Sequence, residues 1–195
     1  MGVQLWFHAN GVDESKVSIS YTPQTKGLGN SQILPRNYTE KHDIEIVLSE
    51  MAEQVATRIR RINRYATVVA IHIGFSSSEF KKSINASMKI SPTKSIYELT
   101  NHVLFLFRQK YTGGSVRSIA VRYDKLVEQD YEVLTFFDDN EKKIKIEKLE
   151  DSIDEIREKF GYLSIQKATS LMDASRVRQR SKLIGGHCGG MDGIT

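Results

Sequence analysis

Ala66-Thr67-Val68-Val69-Ala70-Ile71-His72-Ile73-Gly74-Phe75 is an almost unbroken run of small and β-branched residues. After a serine-rich turn comes residues 82–90, where Ile84, Ala86 and Met88 alternate with Ser83, Asn85, Ser87 and Lys89. The first run reads as a strand, because branched side chains pack well on a pleated surface. The second reads as a strand with one buried and one polar face, since successive side chains point to opposite sides. Together they predict a sheet that is covered on one side only.

The flanking sequence extends that unit in both directions. Residues 27–34 can form a strand closed by Pro35. Ile44, Val47, Leu48, Met51, Val55, Ile59 and Ile62 keep helical spacing and predict an amphipathic helix over residues 41–63. Downstream, Ser95 and Glu98 have capping-box spacing, and Ile96, Leu99, Val103 and Leu106 form the inner stripe of a second helix. Gly113-Gly114 ends that helix. Residues 115–123 give a fourth strand, with Ile119, Val121 and Tyr123 on one face and Ser118, Ala120 and Arg122 on the other. The order is βαββαβ. The expected class is α+β: a four-stranded sheet with two helices on one face, followed by a helical tail.

The open face would present Ser83, Asn85, Ser87, Lys89, Ser118 and Arg122. Short polar side chains interrupted by cations let a phosphate backbone come close. Arg58, Arg60, Arg61 and Arg64 of the first long helix read instead as a solvated face.

Charge is unevenly spread. Residues 1–125 carry 17 Lys/Arg against 10 Asp/Glu, residues 126–165 carry 6 against 12, and residues 166–195 carry 5 against 2. The segment charges of +7, −6 and +3 sum to the net +4 of the chain. A polyanionic partner is therefore expected for the front part only. No apolar run is long enough to span a membrane, and Met1-Gly2-Val3-Gln4 lacks the features of a signal peptide. The single Cys188 fits a reducing cytoplasm and excludes an internal disulfide framework. His187 beside it has no further cysteine with which to build a metal site.

Outside the sheet unit, residues 1–14 read as a helix ending at Ala9-Asn10-Gly11, with Trp6 and Phe7 lacking a core of their own. Residues 15–25 read as a linker. Leu134-Thr135-Phe136-Phe137-Asp138-Asp139 sets apolar side chains in charged surroundings, the pattern of a peptide that docks elsewhere. Residues 141–160 form a charged helix with Leu149, Ile153, Ile156 and Phe160 on one narrow stripe. Residues 166–195, rich in Ser, Arg and Gly, are expected to be loosely ordered.

Several of these stretches resemble the C-terminal part of UmuC-like (ImpB/MucB/SamB) Y-family translesion DNA polymerases. Leu5-Trp6-Phe7-His8-Ala9-Asn10-Gly11-Val12-Asp13 is similar to the end of that family's thumb. Lys26-Gly27-Leu28-Gly29-Asn30-Ser31-Gln32 resembles the first strand of its little finger, and Gly114-Ser115-Val116-Arg117-Ser118-Ile119-Ala120-Val121-Arg122-Tyr123 its last strand. Leu134–Asp139 sits where the family carries a sliding-clamp-binding peptide. The likeness continues through Arg157–Gly161 and Arg180–His187.

The resemblance implies a thumb remnant (1–14), a linker (15–25), a little-finger DNA-binding domain (26–127) and a clamp-binding peptide (128–140). An amphipathic helix (141–165) and a flexible tail (166–195) follow. It implies primer-template DNA as one partner, gripped by its backbone through Lys26, Ser31, Gln32, Lys82, Ser83, Asn85, Ser87, Lys89, Arg117, Ser118 and Arg122. The sliding clamp is the second partner, met by Val133, Leu134, Thr135, Phe136 and Phe137. The family's peptide usually starts with glutamine; Val133 stands there, which weakens the expected docking.

The polymerase chemistry of the family belongs to a palm whose carboxylates hold Mg2+. No catalytic or metal-binding residue is expected among those quoted. Ser152-Ile153-Asp154-Glu155 imitates the family's catalytic Ser-Ile-Asp-Glu, but it lies within the charged helix, where Asp154 and Glu155 read as solvent-facing charges. The competing readings are an RNA-binding module of split-βαβ type and a protein-interaction module. The first is disfavoured because the open face lacks aromatics on which unpaired bases stack. The second rests on the aromatic peptide and the charged helix.

Overall fold

Core side chains are contributed alternately by strands and by helical stripes, and the sheet they define is closed on one side. In a computed structural model, residues 2–13, 27–128 and 140–182 are described. Helix α1 (Gly2–Ala9) precedes strand β1 (Gly27–Tyr38), helix α2 (Lys41–Arg61), strands β2 (Ala66–Phe75) and β3 (Ile84–Thr93), helix α3 (Ile96–Lys110) and strand β4 (Val116–Asp124). Helix α4 (Asn140–Phe160) and the short helix α5 (Val177–Arg180) are the last described helices, with two 3-10 turns between them. The four strands are antiparallel in the order β1-β4-β2-β3.

Leu34 from β1, Val69, Ile71 and Ile73 from β2, and Ile119, Val121 and Tyr123 from β4 face the helices and are buried. Val47, Met51, Val55 and Ile59 of α2 and Leu99, Val103 and Phe107 of α3 meet them. Each such apolar side chain contributes roughly 1.5–3 kcal/mol on burial. The Tyr123 hydroxyl, enclosed in this core, donates to the Ala52 carbonyl at 3.3 Å, and burial pushes its ionisation far up.

Two strands run further than their sequence predicts. β1 continues through Pro35 to Tyr38, with its pairing shifted between Ile33 and Tyr38, and β3 begins at Ile84 and passes Pro92 to reach Thr93. Both are edge strands, where a residue without an N–H can point its missing donor outward. The expected cap of α3 is half realised: the Ser95 side chain accepts from the Glu98 amide at 3.4 Å. The amide of Ser95 is met by the Thr93 hydroxyl at 3.2 Å, not by Glu98. Gly113 and Gly114 have φ of 98° and 121°, a left-handed turn between α3 and β4 that other residues adopt only with strain.

The largest departure lies at the C-terminal side. Residues 166–182, expected to be loose, pack on α2 instead, with Ala174, Ser175, Val177 and Arg180 buried. Polar contacts set within apolar surroundings hold them, a pattern that composition does not reveal. Arg180 Nη2 bonds Glu50 Oε2 at 2.7 Å, and Arg157 of α4 bonds both Glu53 Oε1 at 2.8 Å and the Ile165 carbonyl at 3.1 Å. Lys167 meets the second oxygen of Glu53 at 2.8 Å, and the Tyr38 hydroxyl donates to the Ala174 carbonyl at 3.2 Å.

Helix α4 is attached the same way. Arg60, expected on a solvated face, is 6% exposed and bonds Glu150, Asp151 and Asp154 at 3.0, 2.5 and 2.6 Å. Asp154 is thus a docking carboxylate, which corrects its reading as a solvent-facing charge. Arg61 and Arg64 reach Glu158 and Glu128. The stripe of α4 turns outward, leaving Leu149, Ile156 and Phe160 exposed.

Candidate nucleic-acid interface

The strand register lays out the uncovered face row by row. Gly29, Arg122, Ala70 and Ser87 lie side by side across β1, β4, β2 and β3. The next row is Ser31, Ala120, His72 and Asn85. Ile33, Ser118 and Gly74 form a third row toward one end of the sheet, and Gly27, Asp124, Val68 and Lys89 a fourth toward the other. Gly29, Gly74, Ala70, Ala120, Ser31, Ser87 and Ser118 make up most of the floor of this face, with Val68, His72, Asn85 and the exposed Ile33 standing among them. The strands pack closely there: a Cβ at Gly74 would run into the Ser118 hydroxyl, and one at Gly29 would lie 2.9 Å from the Val121 carbonyl.

Cations rim this floor. Arg122, 58% exposed, rises from the C-terminal half of β4, and its Nε bonds Asp124 Oδ1 at 2.7 Å along the same strand. Lys89 stands exposed on edge strand β3. Lys82 and Ser83 lie exposed in the β2–β3 loop, where Ser83 accepts from the Asn85 amide nitrogen at 3.4 Å. Arg117 sits at a bulge: Ser118 pairs with Gly74 and Val116 with Phe75, so Arg117 is the extra residue of β4. Strict alternation would have turned its side chain toward the helices; the bulge leaves it partly exposed.

The structure thus gathers Ser31, Asn85, Ser87, Lys89, Ser118 and Arg122 on one face, with Lys82, Ser83 and Arg117 at one end of it. Gln32 is a correction. It belongs to the helix-facing set of β1, and its Oε1 accepts from Arg180 Nη1 at 2.8 Å. The alternation of β1 could have placed it there, because Leu28, Gln32 and Leu34 share a parity. Lys26 lies outside the described residues, as do Val133, Leu134, Thr135, Phe136 and Phe137 and the His187–Cys188 pair.

Sequence reasoning passed over His72. Its place amid the apolar run of β2 hid it, yet it stands at the centre of the open face, with Nδ1 2.7 Å from Asn85 Oδ1. Phe80 was missed as well: it is a fully exposed aromatic at the tip of the β2–β3 loop. Among the described residues no group of three or more His, Cys, Asp or Glu is placed to hold a metal ion. No helix among them is long and apolar enough to cross a membrane.

Comparison with known proteins identifies the family. Residues 25–136 match the impB/mucB/samB family C-terminal domain. The chain is 35% identical over 189 residues to UvrX of Bacillus subtilis (strain 168), a protein named for UV-damage repair, covering 96% of this chain and 45% of the relative. It is 32% identical over 187 residues to "DNA polymerase IV 2" of Halalkalibacterium halodurans, covering 95% and 45%. It is 34% identical over 114 residues to "DNA repair protein homolog YobH" of Bacillus subtilis, covering 58% and 52%. The chain spans about half the length of the curated relatives it matches.

Proposed function

Since this chain belongs to the impB/mucB/samB family through its C-terminal domain, we propose that it is the DNA-gripping module of a damage-bypass DNA polymerase. The observation that carries the proposal is the small-residue floor of the open sheet, with Arg122 rising from it and Lys89, Lys82 and Arg117 around it. Small residues admit a phosphate backbone and the cations neutralise it. Contact with backbone alone suits an enzyme whose template is damaged and unpredictable in sequence.

In this reading residues 26–127 are the little finger, 1–14 a thumb remnant and 15–25 the linker between them. Residues 133–137 dock on the sliding clamp, with Val133 in the place of the family's glutamine. The carboxylates and Mg2+ that the nucleotidyl transfer requires are assigned to the half of the relatives that this chain does not span. What the present residues supply is position: they hold the duplex while the chemistry proceeds elsewhere.

Fluorescence anisotropy with a labelled blunt duplex tests the grip. About five neutralised phosphates lower affinity roughly 500-fold between 50 and 200 mM salt. Arg122→Ala weakens binding and reduces the salt slope by about one. A binding isotherm indifferent to salt, or tighter binding of single-stranded RNA than of the duplex, overturns the proposal.

A further inference from the structure

We propose that Phe80 is a base-stacking residue, presented by the β2–β3 loop to an unpaired base at the end of the duplex that the sheet grips. The inference rests on the DNA-gripping reading and extends it to the form of the substrate. Phe80 is wholly exposed, so its ring gains nothing from folding, and nothing within the loop covers it.

The loop is not slack. The Ser76 amide donates to the Ser115 carbonyl at 2.8 Å, and the Glu79 amide donates to the Ser76 carbonyl at 2.9 Å. Glu79 Oε1 accepts from the Ser115 amide at 2.5 Å, and that contact holds its carboxyl below the usual range. Gly114 leaves room for it, because a Cβ there would lie 2.6 Å from Glu79 Oε2. On the other side of Phe80, Lys81 Nζ donates to the Gly113 carbonyl at 2.8 Å and lies 5.6 Å from the centre of the Phe75 ring. Both neighbours of Phe80 are tied to the turn before β4, and the ring is left pointing outward.

Position and charge select the occupant. The loop leaves the sheet at the end where Ser118 and Gly74 pair, which is where a duplex lying on the small-residue floor would run past the strands. Lys81, Lys82 and the bulged Arg117 outnumber the single carboxylate of Glu79 there. A protein hot spot sits in a well-packed pocket from which water is excluded, and Phe80 stands fully exposed on a loop of serines and lysines instead. One exposed ring beside cations is what base stacking on a phosphate-tracking surface requires.

The test compares a blunt duplex with the same duplex bearing a 5′ single-stranded overhang, with 2-aminopurine placed at successive overhang positions. The protein is expected to prefer the overhang substrate and to quench 2-aminopurine at one position. Phe80→Ala is expected to lose roughly 10-fold in affinity for the overhang substrate while keeping its blunt-duplex affinity. Phe80→Trp should restore both preference and quenching. An unchanged preference in Phe80→Ala, or equal losses on both substrates, overturns the stacking role and leaves the grip standing. Loss of salt-dependent binding to the blunt duplex by the unmodified protein overturns both.

Discussion

Arg122 does not stand free on the open face, because Asp124 two residues on holds its guanidinium through a 2.7 Å bond. The pair is partly exposed, so its own contribution to stability is about 0–1 kcal/mol. Its effect on a polyanion is larger in kind: one carboxylate on the open face repels phosphate and competes for the cation. Asp124→Asn is therefore expected to tighten duplex binding about threefold at 50 mM salt, with the gain shrinking as salt rises. Weaker binding by that variant would instead make Asp124 the group that positions Arg122, and anisotropy titrations at two salt concentrations separate the outcomes. At this scale the sequence was informative wherever alternation held. Ser118 and Arg122 followed from the parity of β4, whereas Arg117 did not, because a bulge is set by pairing with β2 and leaves no mark in composition. His72 was hidden for a related reason: a polar residue inside an apolar run reads as tolerated, not displayed.

Helix α4 was legible as a helix and illegible as to which side it uses. The spacing of Leu149, Ile153, Ile156 and Phe160 points to an apolar seam, yet the seam is turned outward and α4 docks through Glu150, Asp151 and Asp154 around Arg60. Glu150 also accepts from the Tyr97 amide at 2.9 Å and the Ser95 hydroxyl at 3.0 Å, so it caps α3 from another element. Nothing local in the sequence signals either contact, because the partners lie some 50 to 90 residues apart. Arg60→Ala leaves the buried Glu150 and the half-buried Asp154 without their cation and is expected to cost about 3 kcal/mol. Urea unfolding monitored alongside hydrogen exchange in residues 144–160 would show α4 losing protection first; uniform loss across the chain would mean that Arg60 serves the core instead. The βαββαβ unit, by contrast, followed from period and capping alone, since its core-facing residues lie within the elements that carry them.

Acid divides the molecule into parts. Burial pushes the Glu53 carboxyl up, but Lys167 and Arg157 outweigh that, and it sits below its ordinary value of 4.5. A carboxyl depressed in the folded state stabilises fully above its unfolded value, and that stabilisation is lost as pH falls through the folded one. Glu150 has the opposite sign: burial raises it despite the Tyr97 amide and Arg60, so acid does not weaken its contribution to folding. Acidification below 4.5 should thus loosen residues 162–182 from α2 while the sheet persists. Hydrogen exchange against pH checks this, and Glu53→Gln should loosen the same residues at neutral pH and flatten the profile. The two prolines that end the regular pairing of β1 and β3 have a consequence of their own. Pro35 and Pro92 sit on the two outermost strands, near opposite ends of an antiparallel sheet. A strand from a neighbouring molecule could zip onto either margin only part way before meeting a residue that offers no donor. Copies of this chain at high concentration are thereby hindered from joining sheet to sheet at either margin.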